Sequence, residues 1–95
     1  MTYLGENLKT LRATKGKHFT QEVVAAALEC KRSNLSAWEN GVSEPSADLL
    51  VKLSKYYGVS IDRLLRQDMT KLSPSRLREV AARIDERVMK DAMQL

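Results

Sequence analysis

Apolar residues recur along this chain three or four positions apart, the spacing of one face of an α-helix, and glycines or prolines separate the runs. The first run is formed by Leu4, Leu8 and Leu11. It ends before Gly16, a residue that tolerates the left-handed backbone found after many helices. A second helix is predicted from Thr20, whose hydroxyl can cap it, to about Leu28. No stretch shows strand-like alternation over a convincing length, so the pattern predicts an all-α protein.

Three further short helices are predicted before residue 67. They cover about residues 32–40, 46–57 and 60–66, and glycines at 41 and 58 end the first two. Residues 67–73 have the composition of a linker. Ser73 followed by Pro74 is typical of a helix start, and that sixth helix could extend to Leu95. We therefore expect a five-helix domain over residues 1–66, a linker over 67–73 and an amphipathic C-terminal helix over 74–95.

Composition narrows the function classes. The chain has 95 residues, a net charge of +4 and a pI near 9.4, which suits a polyanionic partner. Cys30 and His18 are each the only residue of their type, so we expect no disulfide, metal or cofactor. No catalytic motif is present, which predicts that the protein is not an enzyme. No signal peptide and no apolar run of membrane-spanning length is present, so we predict a cytoplasmic protein without membrane contact.

The third predicted helix has an unusual outward face. Leu35 and Trp38 form its apolar side, whereas the opposite side carries short side chains and one long cation: Arg32, Ser33, Ser36 and Ala37. A helix that enters the DNA major groove, about 12 Å wide, needs small residues around a few long hydrogen-bonding ones. The residues alone leave two interpretations open, a groove-binding helix and an ordinary solvated surface helix.

The order of residues from 4 to 66 resembles the helix-turn-helix domain of the phage lambda repressor and Cro group, also called the xenobiotic response element family. The resemblance lies in "TQEVVAAALECKRSNLSAWENG" followed by "EPSADLLVKLSKYYGVSIDRLL". It implies a five-helix lambda-repressor-like fold and binding of double-stranded DNA, with the helix that starts at Arg32 in the major groove. This sequence adds a C-terminal helix to that fold.

The resemblance also implies roles for individual residues. Base contacts are expected from Arg32, Ser33, Ala37 and Lys31, and phosphate contacts from Gln21, Asn34 and Asn40. Arg32 could bind guanine O6 and N7 with both arms of its guanidinium, and Gln21 is expected to support it. Arg12 and Glu39 match a structural ion pair between the first and third helices.

The sequence departs from the family pattern in three places. Glu29 stands where a glycine usually permits positive φ in the turn, and its carboxylate would face DNA. Lys31 stands where Ser or Thr usually caps the recognition helix. The loop before the second helix is longer than in the shortest members and supplies Lys15 and Lys17. These lysines are candidate phosphate contacts, although a merely solvated loop is an alternative.

The C-terminal segment carries a coiled-coil-like seam, formed by Leu77, Ala81, Ile84, Val88 and Leu95. A helix of this length needs a partner for its apolar side. Dimerisation is our prediction, and packing on its own domain or on another protein are the alternatives. We therefore predict a sequence-specific transcriptional regulator, a repressor that binds as a homodimer. The alternative is an antitoxin-like or adaptor protein whose C-terminal helix binds a partner protein.

Overall fold

The computed structural model of the protein describes residues 2–82, and all regular structure in that range is helical, as predicted. The predictions for residue 1 and for residues 83–95 lie outside the described part. The helices are α1 (Leu4–Lys15), α2 (Gln21–Leu28), α3 (Arg32–Glu39), α4 (Ala47–Tyr57), α5 (Ile61–Arg66) and α6 (Pro74–Ala82).

Local capping signals explain where several helices begin. The hydroxyls of Thr20, Ser46 and Ser60 accept hydrogen bonds from backbone N–H groups three residues later, at 3.3, 3.3 and 3.2 Å. These bonds satisfy donors that the first turn of a helix leaves unpaired. Ser73 does the same for α6, whose first residue is Pro74. The helix starts predicted at these positions are confirmed. They could be predicted from the sequence because each cap and the N–H group that it accepts from are only three positions apart.

Helices α1 to α5 all contribute side chains to one apolar core. Its fully buried members include Leu8, Leu11, Val24, Leu35, Leu53, Val59 and Leu64. Trp38 contributes from α3 and is 7% exposed. The leucines of the predicted first run belong to this core, and α1 packs against α3. The position of α3 is consequently fixed by side chains from several helices.

The segment predicted as a linker lies against the domain. It contains a short 3-10 helix, Met69–Lys71, in which Met69 is fully buried. Helix α6 lies along α1, with Leu77 and Val80 against the core. Leu77 is therefore partly covered by its own domain, Ala81 falls in the last described turn, and Ile84, Val88 and Leu95 lie outside the described residues.

Candidate nucleic-acid interface

Helices α2 and α3 are joined by a turn of three residues. Glu29 adopts φ 57° and ψ 41°, the left-handed conformation that the family pattern assigns to glycine. The N–H of Cys30 bonds the carbonyl of Ala25 at 2.9 Å, and the N–H of Glu29 bonds that of Ala26 at 3.1 Å. This pair of bonds is a Schellman ending, which requires a left-handed residue. The turn therefore has the left-handed backbone that the family pattern implies, although Glu29 adopts this conformation less readily than glycine.

The two faces of α3 differ as the sequence predicts. Leu35 is fully buried, and Trp38 is nearly so. Arg32, Ser33 and Asn34 are exposed at the start of the helix, Lys31 is exposed just before it, and Ala37 is half-buried one turn further on. The outward face thus presents one guanidinium, one amide and small side chains, without a bulky residue between them.

Arg12 and Glu39 form an ion pair that ties α1 to α3. Arg12 Nε donates to Glu39 Oε2 at 2.8 Å, and Nη2 donates to Oε1 at 3.0 Å. The Glu39 side chain is fully buried, whereas that of Arg12 is 23% exposed. The hydrogen bond to Glu39 raises the pKa of Arg12 and outweighs the opposing effect of burial. A bidentate pair of this kind fixes the orientation of both groups.

Gln21 extends this pair to the outward face of α3. Its Nε2 donates to Glu39 Oε1 at 3.1 Å, and its Oε1 accepts from Arg32 Nη1 at 3.2 Å. A continuous series of hydrogen bonds therefore runs from the buried carboxylate to the exposed guanidinium. The side chain of Arg32 is still 52% exposed. This arrangement holds a cation at the start of α3 without removing it from solvent.

A second residue of α2 also contacts Arg32. Glu22 Oε1 lies 3.7 Å from Arg32 Nε, and the Glu22 side chain is 72% exposed. Sequence reasoning assigned Glu22 no role at the interface, because an acidic residue in the first turn is ordinarily explained by the helix dipole. The signal that could have identified it is its position next to Gln21, which was expected to support Arg32.

The remaining polar residues lie around the ends of α3. Lys31 makes no side-chain capping bond, as expected for a lysine at this position. Lys31 and Asn34 line an open groove that the start of α4 closes on the other side. Asn40 is exposed at the end of α3, where its amide donates to Ser36 Oγ at 3.3 Å.

The two loop lysines differ in their surroundings. The Lys15 ammonium lies over the rings of Phe19, Tyr56 and Tyr57, at 5.4, 5.1 and 6.0 Å from their centroids. Lys15 is half-buried there, where it joins the end of α1 to α4 by cation–π interactions. Lys17 is exposed and borders the open pocket that Gln21 and Glu22 also line. Lys17 is therefore exposed near the start of α2, whereas the Lys15 ammonium lies against the aromatic rings of α4.

Other kinds of site receive no support from the described residues. Residues 2–82 contain no group of three His, Cys, Asp or Glu side chains that could hold a metal ion. Within the same range, no helix is both long enough and apolar enough to cross a membrane.

Comparison with known proteins identifies the domain. The family described as Helix-turn-helix (HTH_3) matches residues 8–64. The transcriptional regulator ImmR of Bacillus subtilis (strain 168) is 42% identical over 65 residues, which are 68% of this chain and 50% of ImmR. The transcriptional activator BcrR of Enterococcus faecalis is 42% identical over 60 residues, 63% of this chain and 28% of BcrR. No solved structure matches the chain significantly.

A third relative is a prophage-derived regulator, YonR of Bacillus subtilis (strain 168), which is 40% identical over 62 residues, 65% of this chain and 56% of YonR. The chain therefore spans about half the length of ImmR and YonR, and less of BcrR. The matched residues are those that carried the resemblance to the lambda repressor and Cro group, which is confirmed. The prediction that the chain is not an enzyme agrees with this family, whose members bind DNA. The chain belongs to the Xre-like helix-turn-helix family of DNA-binding transcriptional regulators.

Proposed function

We propose that the protein recognises a specific DNA sequence by placing α3 in the major groove. The observation that carries this proposal is the hydrogen-bonded series from Glu39 through Gln21 to Arg32, which holds an exposed guanidinium at the start of α3. An arginine held in this way loses little conformational freedom when it binds the guanine O6 and N7 acceptors. Base specificity therefore depends first on Arg32.

The neighbouring residues complete the proposed interface. Ser33, Ala37 and Lys31 contact base edges, and Asn34, Asn40 and Lys17 contact phosphates on either side of the groove. Both ends of the Gln21 amide already bond protein groups, so its main role is to support Arg32. Lys15 has rings around its ammonium, so its contribution to phosphate binding is the smallest of the set.

The protein acts as a homodimeric repressor in this proposal. Two α3 helices one helical turn apart, about 34 Å, fit two half-sites of a palindrome. Repression requires only that the dimer occupies a promoter. The relative BcrR, however, is named an activator. A reporter gene placed behind the bound site distinguishes the two, because its output falls on binding by a repressor and rises on binding by an activator. A DNA-binding regulator acts in the compartment that holds the DNA, so the proposal puts the protein in the cytoplasm.

Dimerisation is assigned to the C-terminal segment. Leu77 packs against the core, so the proposed contacts with a partner chain come from the rest of the predicted seam, Ala81, Ile84, Val88 and Leu95. Deletion of residues 83–95 keeps α6, Pro74–Ala82, which packs on α1. Light scattering should show the intact chain as a dimer and the truncated chain as a folded monomer. An intact chain that is monomeric at micromolar concentration contradicts this assignment.

Selection from random double-stranded DNA tests the central proposal. The protein should enrich one short palindrome, and Arg32→Ala should lose about 1 to 3 kcal/mol on that site and relax preference at one base pair. Arg76→Ala on α6 removes the same charge from an exposed arginine and is the matched control. An unchanged ratio of specific to scrambled binding in Arg32→Ala contradicts the proposal. A second protein that co-purifies in equal amount from the native locus would instead support the antitoxin-like or adaptor alternative.

A further inference from the structure

Arg32 is held by two adjacent side chains of α2 that differ in charge. Gln21 Oε1 accepts a hydrogen bond from Nη1 at 3.2 Å, and Glu22 Oε1 lies 3.7 Å from Nε. These contacts engage at most one hydrogen on each of Nε and Nη1. Both hydrogens of Nη2 and the second one of Nη1 remain for a pair of acceptors on one base. The two residues together therefore hold the guanidinium and leave at least three of its five N–H donors for DNA.

Glu22 differs from Gln21 because its carboxylate carries a charge of the same sign as DNA. Its side chain is 72% exposed beside the proposed interface. When Arg32 stays near Glu22, the negative charge is partly compensated. When Arg32 moves to a phosphate, as it would on a non-specific sequence, Glu22 is left uncompensated next to the polyanion. The acidic residue therefore opposes the phosphate-bound arrangement of Arg32 more than the base-bound one.

We propose that Glu22 is a specificity-determining positioning residue: it directs Arg32 toward base edges and lowers affinity for DNA that lacks the cognate base. This inference rests on the proposed function, because it needs Arg32 to contact a base. Glu22 touches no base itself, and it acts through the guanidinium. Its effect is therefore largest in the ratio of specific to non-specific affinity.

Replacement of Glu22 by glutamine tests this role, since the side chain keeps its size. Glu22→Gln should bind scrambled DNA more tightly, and the ratio of specific to scrambled affinity should fall about two- to fivefold. Asp62→Asn is the matched control, because Asp62 also forms an exposed ion pair, with Arg66 at 3.6 Å in α5, and the charge change is the same. The control should leave the ratio unchanged. Thermal unfolding of each variant measures any loss from the first turn of α2 separately.

A double-mutant cycle separates positioning from a general charge effect. In the Arg32→Ala background, Glu22→Gln should strengthen binding to both DNAs equally and leave their ratio unchanged. Equal gains on both DNAs with Arg32 present would show that Glu22 acts only as a repelling charge, and would overturn the inference alone. A wild-type protein without preference for any sequence overturns both this inference and the proposed function.

Discussion

The backbone N–H of Met69 donates to the side-chain oxygen of Asn7 at 3.0 Å, which joins α1 to a turn 62 residues later. The Asn7 amide nitrogen also donates to the carbonyls of Leu64 and Gln67, at 2.8 and 2.6 Å. Asn7 is fully buried, so one side chain satisfies three backbone groups that leave α5 and enter the following turn. The end of α5 and the segment before α6 are thereby fixed to α1.

Asn7→Ala should destabilise the protein by about 2 to 4 kcal/mol, because it leaves one carbonyl and one N–H without partners in the core and a second carbonyl without one at a partly buried position. The free energy of unfolding from urea titration measures this loss. Asn34→Ala is the control, since Asn34 is exposed on α3. Equal stability of Asn7→Ala and Asn34→Ala would contradict the role assigned to the buried amide.

Asn7 also shows where sequence reasoning ends. Caps such as Thr20 were predictable because the hydroxyl and the N–H that it accepts from are three positions apart. The partners of Asn7 are 57 to 62 positions away, so no local pattern reveals them. Residues 67–73 are predicted as a linker because their composition is polar. The burial of Met69 in this segment depends on contact with the distant helix α1, so no local pattern indicates it.

The features of the candidate interface could likewise be predicted from the sequence only in part. The exposed face of α3 and its buried Leu35 follow from helical periodicity, and the pairing of Arg12 with Glu39 was expected from the family resemblance. The surroundings of Lys15 were not foreseeable, since Tyr56 lies 41 positions further along the chain. Glu22 was overlooked because its partner, Arg32, belongs to a different helix.

Gly5 allows α1 to approach the end of α3 closely. A Cβ at this position would lie 2.8 Å from the Trp38 carbonyl oxygen and 3.0 Å from that of Glu39. Gly5→Ala should therefore destabilise the protein by about 1 to 3 kcal/mol, although the same change in an open helix stabilises by up to about 1 kcal/mol. Thermal unfolding measures the sign. Lys9→Ala, an exposed change on α1, should have little effect, and an increase in Tm for Gly5→Ala would contradict the close approach.

Glu29 holds a left-handed conformation that glycine adopts without strain. Glu29→Gly should stabilise the fold by about 0.5 to 1 kcal/mol, and Glu29→Ala should not, because alanine retains the steric penalty at φ 57°. Both variants lose a negative charge near the proposed interface, so both should bind DNA more tightly. Unfolding and DNA titrations on the pair separate backbone strain from charge. If both variants gained the same stability, strain at the turn would not be the cause.

Removal of each of the two loop lysines should affect a different property, stability for Lys15 and DNA binding for Lys17. Lys15→Ala loses its interaction with three aromatic rings, so it should lower the free energy of unfolding by about 1 kcal/mol and change the salt dependence of DNA binding little. Lys17→Ala should leave stability unchanged and reduce the slope of log affinity against log salt by about one unit, for one lost phosphate contact. The reverse assignment of the two effects would contradict the placement of these side chains.

Tyr57 should make stability decrease in alkaline solution. Burial raises its pKa, and the nearby charge of Glu39 raises it further. Above about pH 10 the unfolded chain releases the phenolic proton while the folded chain retains it, so this group favours unfolding by up to about 1.4 kcal/mol per pH unit. Below that pH both states are protonated and the contribution vanishes.

Tyr57→Phe isolates this effect. The hydroxyl is buried and has no hydrogen-bond partner among residues 2–82, so its removal should not destabilise the protein at pH 7 and should relieve the cost of burying an unpaired polar group, about 1 kcal/mol or more. Urea titrations of both proteins between pH 7 and pH 11 should give curves whose separation is constant near neutrality and widens above pH 10, with the variant more stable. Burial also raises the pKa of Tyr56, so the variant keeps part of the alkaline decline. Parallel curves up to pH 11 would show that Tyr57 ionises as easily in the folded state as in the unfolded one.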